Sequence, residues 1–176
     1  MKELIVCLDC GDTIVDESTQ VFADSGDVLS AQPFPGAVEA IRALHESGYR
    51  LALIADGRVA SFQNILKGLG LWDLFETHVI SETLGVEKPN QRMFATAMQA
   101  LNLTAADAGR MVMIGNNVAR DVCGANEAGM ISVLLTRSPR YRMTPFCAEE
   151  TPDYCTESPA EWPALLERIA RERGVG

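Results

Sequence analysis

Asp9 stands at the end of an apolar run, Leu4-Ile5-Val6-Cys7-Leu8, and is followed by Cys10-Gly11-Asp12-Thr13-Ile14. A carboxylate so placed can serve as a nucleophile, a metal ligand or a cap, and its companions decide which. Three further groups of polar residues close apolar runs in the same way. They are Asp56-Gly57 after Tyr49–Ala55, Lys88 in Gly85-Val86-Glu87-Lys88-Pro89, and Asn116-Asn117-Val118-Ala119-Arg120-Asp121 after Met111–Gly115. Carboxylates, a lysine and carboxamides brought together would suit chemistry on a charged group, because each can bind, balance or move charge.

The elements that must position them are legible from period and punctuation. Leu4–Leu8, Tyr49–Ala55, His78–Ile80, Met111–Gly115 and Ile131–Leu135 are short apolar runs bounded by turn residues, the pattern of buried strands. Between them lie helical patterns. Val38, Ile41 and Leu44 recur at helical spacing and stop at Gly48. Phe62, Ile65, Leu66 and Leu69 form one face that ends at Gly70, and Asn90 caps a helix carrying Phe94, Ala97, Met98 and Leu101. A helix over 118–128 precedes the fifth strand, and 159–173 reads as an amphipathic terminal helix. Alternating strands and helices predict one α/β domain over 1–176. Its mostly parallel, doubly wound, five-stranded sheet would have its working edge at the strands' carboxyl ends. Asp153-Tyr154-Cys155 is a candidate extra edge strand. Residues 18–33, polar and without clear period, read as a connection.

Composition narrows the class. Of 176 residues, 47% are hydrophobic and 22% charged, and the net charge of −9 opposes nucleic acid and anionic lipid as partners. No apolar run approaches the roughly 18 residues of a membrane span, and no leader pattern is seen, so a cytoplasmic location is expected. The five cysteines are an odd count. Cys7 and Cys10 have C-x-x-C spacing, but residues three apart in a strand start on opposite faces, which argues against a redox or metal pair. His45 and His78 show no triad or metal spacing, and Arg137, Arg140 and Arg142 read as an exposed basic loop.

With these motifs in order, the chain resembles the haloacid dehalogenase (HAD) superfamily of aspartate-nucleophile hydrolases, most of them magnesium-dependent phosphatases. The resemblance rests on Asp9–Ile14, Pro35-Gly36, Gly85–Pro89 and Gly115–Asp121 leading into Gly124-Ala125. It implies a HAD-like Rossmannoid fold. It also implies a phosphomonoesterase working through an aspartyl-phosphate at Asp9, with Lys88 as charge clamp. Ala55, Asp56, Gly57 and Lys88 would contact substrate, and Asp9, the Gly11 carbonyl, Asn116 and Asp121 would hold Mg2+.

The chain departs from the family pattern at three places. The acid/base aspartate two residues after the nucleophile is Gly11, the phosphate-binding Ser or Thr is Ala55, and the first aspartate of the fourth motif is Asn116. Losing acid/base help costs about 10²- to 10⁴-fold, so a weak enzyme is expected. The alternative is a catalytically inactive relative that binds a phosphorylated ligand or partner protein. Asp12 and Asp56 follow turn positions, and a turn role is expected of both. The intervals that carry a cap domain in the family are short here, predicting a capless, open site. The expected partner is a phosphorylated small molecule or protein, and the site is open unless a homo-oligomer neighbour covers it.

Overall fold

The computed structural model describes residues 2–137 and 140–175. Strands β1 (Ile5–Leu8), β2 (Val15–Phe22) and β3 (Val28–Pro33) are followed by helix α1 (Ala37–Glu46) and strand β4 (Arg50–Ala55). Helix α2 (Val59–Gly68), strand β5 (Thr77–Ile80), the short α3 (Ser81–Leu84) and α4 (Gln91–Ala100) come next. The chain continues through β6 (Met111–Gly115), α5 (Cys123–Glu127), β7 (Ile131–Leu135), β8 (Tyr154–Thr156) and α6 (Trp162–Arg173). The central sheet has six strands, not five, in the order β5-β4-β1-β6-β7-β8. The sixth is the edge strand β8, and all neighbouring pairs are parallel. It is the candidate edge strand read at Asp153-Tyr154-Cys155, shifted by one residue.

Successive residues of each strand feed opposite cores, as a pleated strand buried on both faces requires. Val6 and Leu8 pack with Ile41, Leu44, Leu66, Trp162 and Ile169 on the face covered by α1, α2 and α6. Ile5 and Cys7 pack with Met93, Phe94, Ala97 and Ala125 on the face covered by α4 and α5. Cys10 belongs to the first core and Cys7 to the second, so the C-x-x-C spacing joins no pair, and both thiols are free and buried. Burial alone pushes the Cys7 thiol up to about 12.

Residues 18–33 are not an irregular connection. They belong to an antiparallel hairpin of β2 and β3, with register shifts between Asp16 and Phe22. The hairpin is anchored on α2: Val28 N donates to Ser61 Oγ (2.9 Å), Asn64 Nδ2 donates to Val28 O (3.0 Å), and Arg58 pairs with Asp27 at 2.9 Å. Val21, Phe22 and Leu29 stay exposed. An alternating hydrophobic signal reports one buried face, and this hairpin is held chiefly by backbone pairing and polar anchors.

The chain passes from β1 outward through β4 and β5, then returns beside β1 to β6 and continues through β7 and β8. This reversal makes the β1/β6 boundary the topological switch point of the sheet, where its open edge forms a crevice. Asp9 follows β1 and Asn116 follows β6 at that boundary, with Asp9 N donating to Ile114 O at 3.0 Å.

Candidate active site

The crevice is lined by Asp9, Gly11, Glu17, Asp56, Lys88, Asn116, Asn117, Arg120, Asp121 and Tyr141. Lys88 sits at its base with a side chain only 1% exposed. Its Nζ donates to Asp9 Oδ1 (2.8 Å), Asp121 Oδ1 (2.7 Å) and the Ile54 carbonyl (2.8 Å), which uses all three ammonium donors. Burial by itself would lower the Lys88 pKa. Asp121, Asp9 and Asp56 together outweigh it, hold the ammonium well above its ordinary value, and so keep it charged. The Asp121 carboxyl is raised too, to about 6, chiefly by burial and against the opposing Lys88 charge.

Each partner of Lys88 is itself positioned. Thr13 Oγ1 donates to the second Asp9 oxygen at 3.1 Å. The second Asp121 oxygen accepts from Asn117 N at 3.0 Å, and Asn117 Oδ1 caps the following π-helical turn by accepting from Ala119 N and Arg120 N. Gly115 is required beside this carboxylate, because a Cβ there would lie 2.2 Å from Asp121 Cγ. Asp56 Oδ1 accepts from Lys88 N at 3.0 Å and its Oδ2 pairs with Arg120 at 3.3 Å. This fixes the lysine loop to the end of β4, while burial, ahead of the opposing Lys88 charge, raises the Asp56 pKa.

Asp9, Gly11, Asp56, Lys88, Asn116 and Asp121, all read from the sequence as site residues, therefore converge. Ala55 and Gly57 do not line the crevice. Ala55 shares the inward parity of Leu51 and Leu53 and is fully buried in the first core. Gly57, at φ 150°, donates its N–H to Ser81 Oγ at 2.9 Å.

Asp12 adopts φ 52° in the turn, and its Oδ1 accepts from Glu17 N at 3.0 Å. The basic loop is more engaged than its sequence suggests. Arg140 pairs with both Asp12 and Glu17 at 2.7 Å, Arg142 pairs with Glu150, and Arg137 lies 4.9 Å from the Phe34 ring centroid. Sequence reasoning missed Thr13, Glu17, Arg140 and Tyr141. Only Thr13, next to the motif, left a local signal.

The crevice is small, about 50 Å³, enough for a few waters or one compact charged group but not for a whole metabolite. A larger hollow of about 370 Å³ beside α6, lined by Lys2, Glu167 and Arg171 among others, holds a single carboxylate. Four carboxyl groups, those of Asp9, Glu17, Asp56 and Asp121, line the crevice with two cations, Lys88 and Arg120.

That imbalance repels a phosphate and suits a divalent cation, and the available donors are hard oxygens of the type magnesium prefers. Among the described residues no group of three or more His, Cys, Asp or Glu side chains is placed to hold a metal. The reason is visible: Asn116 contributes an amide, and both Asp121 oxygens are already engaged. Asn116 is 2% exposed and its Nδ2 has no partner. The hard-oxygen donors that would hold a divalent ion are those of Asp9, the Gly11 carbonyl and the Asn116 carboxamide, a set of low charge.

A family model for haloacid dehalogenase-like hydrolases matches residues 6–129. The chain belongs to this family. It is 30% identical over 141 residues to a glyceraldehyde 3-phosphate phosphatase of Methanopyrus kandleri, covering 80% of this chain and 59% of that one. It is 36% identical over 109 residues to the pyrimidine 5'-nucleotidase YjjG of Escherichia coli, covering 61% and 47%. The chain spans about half the length of the curated relatives it matches. A structure of YfnB from Bacillus subtilis bound to magnesium shares the fold, with a TM-score of 0.75 at 16% identity over 94% of this chain and 99% of that one. The relatives' names make this HAD hydrolase a relative of phosphatases. No helix among the described residues is long and apolar enough to cross a membrane.

Proposed function

We propose that this HAD hydrolase is a magnesium-dependent phosphomonoesterase that works through an aspartyl-phosphate at Asp9. The observation that carries the reading is the Lys88 ammonium bridging Asp9 and Asp121 at the base of the crevice. Each Asp9 oxygen accepts one hydrogen bond and retains lone-pair capacity for attack on phosphorus. Lys88 holds the carboxylate in place and offsets the charge gathered as the phosphoryl group transfers. Asp121 and Ile54 O orient the ammonium, and Asp56 ties its backbone down. Asp9, the Gly11 carbonyl and Asn116, with Asp121 in reserve, would hold magnesium, which when bound would supply positive charge for phosphoryl transfer. The small crevice supports a substrate whose phosphoryl group enters while the remainder lies outside, past the rim that Glu17 of β2 helps to line. Phosphorylated small molecules fit this reading, in keeping with the names of the relatives.

The test is magnesium-dependent hydrolysis of 4-nitrophenyl phosphate by the wild type and by Asp9→Asn. The expected result is turnover by the wild type and none above background by the variant. Equal background rates would overturn the enzyme reading.

A further inference from the structure

Gly11 occupies the position at which an acid/base side chain would follow the nucleophile, yet the space above it is not empty. A Cβ built on Gly11 would lie 1.9 Å from Glu17 Oε1 and 2.7 Å from Glu17 Cδ. The carboxyl group of Glu17 therefore fills the volume that a side chain at position 11 would need. With Glu17 in this conformation, only a glycine leaves room at position 11.

Glu17 reaches this place because the chain turns back after β1. Asp12 takes up the left-handed conformation, and its carboxylate accepts the Glu17 N–H at 3.0 Å, bringing the first residues of β2 over the loop. Arg140 clamps the side chain by donating from Nη1 to Glu17 Oε2 at 2.7 Å and from Nε to Asp12 Oδ2 at the same distance. The other oxygen, Oε1, faces Gly11, and Glu17 lines the crevice together with Asp9 and Lys88. An unclamped glutamate would lose rotamer freedom on acting, whereas this one is already held.

We propose that Glu17 is the general acid and base of this site, its carboxyl group standing in for the side chain that position 11 lacks. The assignment rests on the phosphomonoesterase reading above. In the first step an Asp9 oxygen forms a bond to phosphorus and the bond from phosphorus to the ester oxygen breaks. The departing oxygen keeps the electron pair and takes the Glu17 proton, leaving as the alcohol. In the second step the Glu17 carboxylate takes a proton from water while the water oxygen bonds to phosphorus. The bond from phosphorus to Asp9 breaks and its electron pair returns to the Asp9 carboxylate. Phosphate is released, Glu17 is again protonated, and the sum is ester plus water giving alcohol plus phosphate.

The experiment compares kcat/KM for phenyl phosphate and 4-nitrophenyl phosphate, with magnesium, in the wild type, Glu17→Gln, Glu17→Ala, and Gly11→Asp combined with Glu17→Ala. Phenolate is the poorer leaving group and needs the proton more. Glu17→Gln should lower kcat/KM for phenyl phosphate by about 10²- to 10⁴-fold, and that for 4-nitrophenyl phosphate by at least about tenfold less. The combined variant, which returns a carboxyl group to position 11, should recover most of what Glu17→Ala loses. Equal losses on both substrates, no loss on either, or no recovery in the combined variant would each overturn the assignment. If wild type and Asp9→Asn are equally inactive on 4-nitrophenyl phosphate, the phosphatase reading itself falls and takes the role of Glu17 with it. An active wild type with an unimpaired Glu17→Gln variant refutes the assignment of Glu17 alone.

Discussion

Replacing Lys88 by methionine tests the electrostatic frame of the crevice without reference to a substrate. The ammonium makes three hydrogen bonds of 2.7–2.8 Å and its side chain is 1% exposed, while the side chains of Asp121 and Asp9 are 3% and 12% exposed. Methionine fills a similar volume, so packing changes little. What it leaves behind is two close carboxylates with no cation between them. Breaking a buried ion pair by removing one partner costs about 3–5 kcal/mol. The upper part of that range is trimmed because Asp9 keeps some access to water. For a chain of this size the loss corresponds to a fall in Tm of roughly 6–20 °C.

Urea unfolding followed by circular dichroism gives the free energy directly, provided that the m-value is unchanged. The double variant Lys88→Met with Asp121→Asn removes one of the two charges stranded by the first change and ends their mutual repulsion. It should therefore be more stable than the sum of the two single variants by about 1–3 kcal/mol, the coupling expected of residues in contact. A single-variant loss below about 1 kcal/mol, within the range of an exposed pair, would refute the claim that Lys88 is the buried keystone of these aspartates.

Three other outcomes are expected. Gly124→Ala places a Cβ 2.2 Å from Phe94 Cε2 and 3.2 Å from Pro89 Cα, where the fully buried ring has little room to yield. A loss of about 1–3 kcal/mol in urea unfolding is expected, and a neutral effect would show that the α4–α5 contact can relax. Asn116→Asp adds the charge that the metal shell lacks and should tighten magnesium binding by about tenfold or more, read by calorimetry; unchanged affinity would remove Asn116 from the shell. The Glu150 carboxyl is held below its ordinary value by the Arg142 guanidinium and then by the Phe146 N–H. Its stabilising contribution is thus present above the ordinary glutamate value of about 4.3 and lost as pH falls toward the lower folded value. Glu150→Gln should be less stable at pH 7 and show a shallower decline of urea midpoint on acidification; parallel curves would contradict this.

The sheet and its working edge were readable in the chain because continuous apolar runs and helical periods report burial, and burial is what builds a doubly wound core. For the same reason Asp9, Asp56, Lys88, Asn116 and Asp121 could be placed at strand ends before any coordinates. Ala55 shows the limit of that logic: sitting at a strand end does not aim a side chain, and pleat parity turned it into the core. The hairpin escaped notice because its stability lies in backbone pairing and in contacts to Ser61, Asn64 and Arg58, more than 30 residues away.

Read alone, Gly11 is a missing acid. Tertiary structure alone shows a glutamate six positions later in that space, delivered by a left-handed turn at Asp12 and held by Arg140 from the loop after β7. Local sequence determined which strand ends meet, because apolar patterning is local. Which carboxylate faces the nucleophile was decided by chain reversal and a distant guanidinium, and neither leaves a periodic trace.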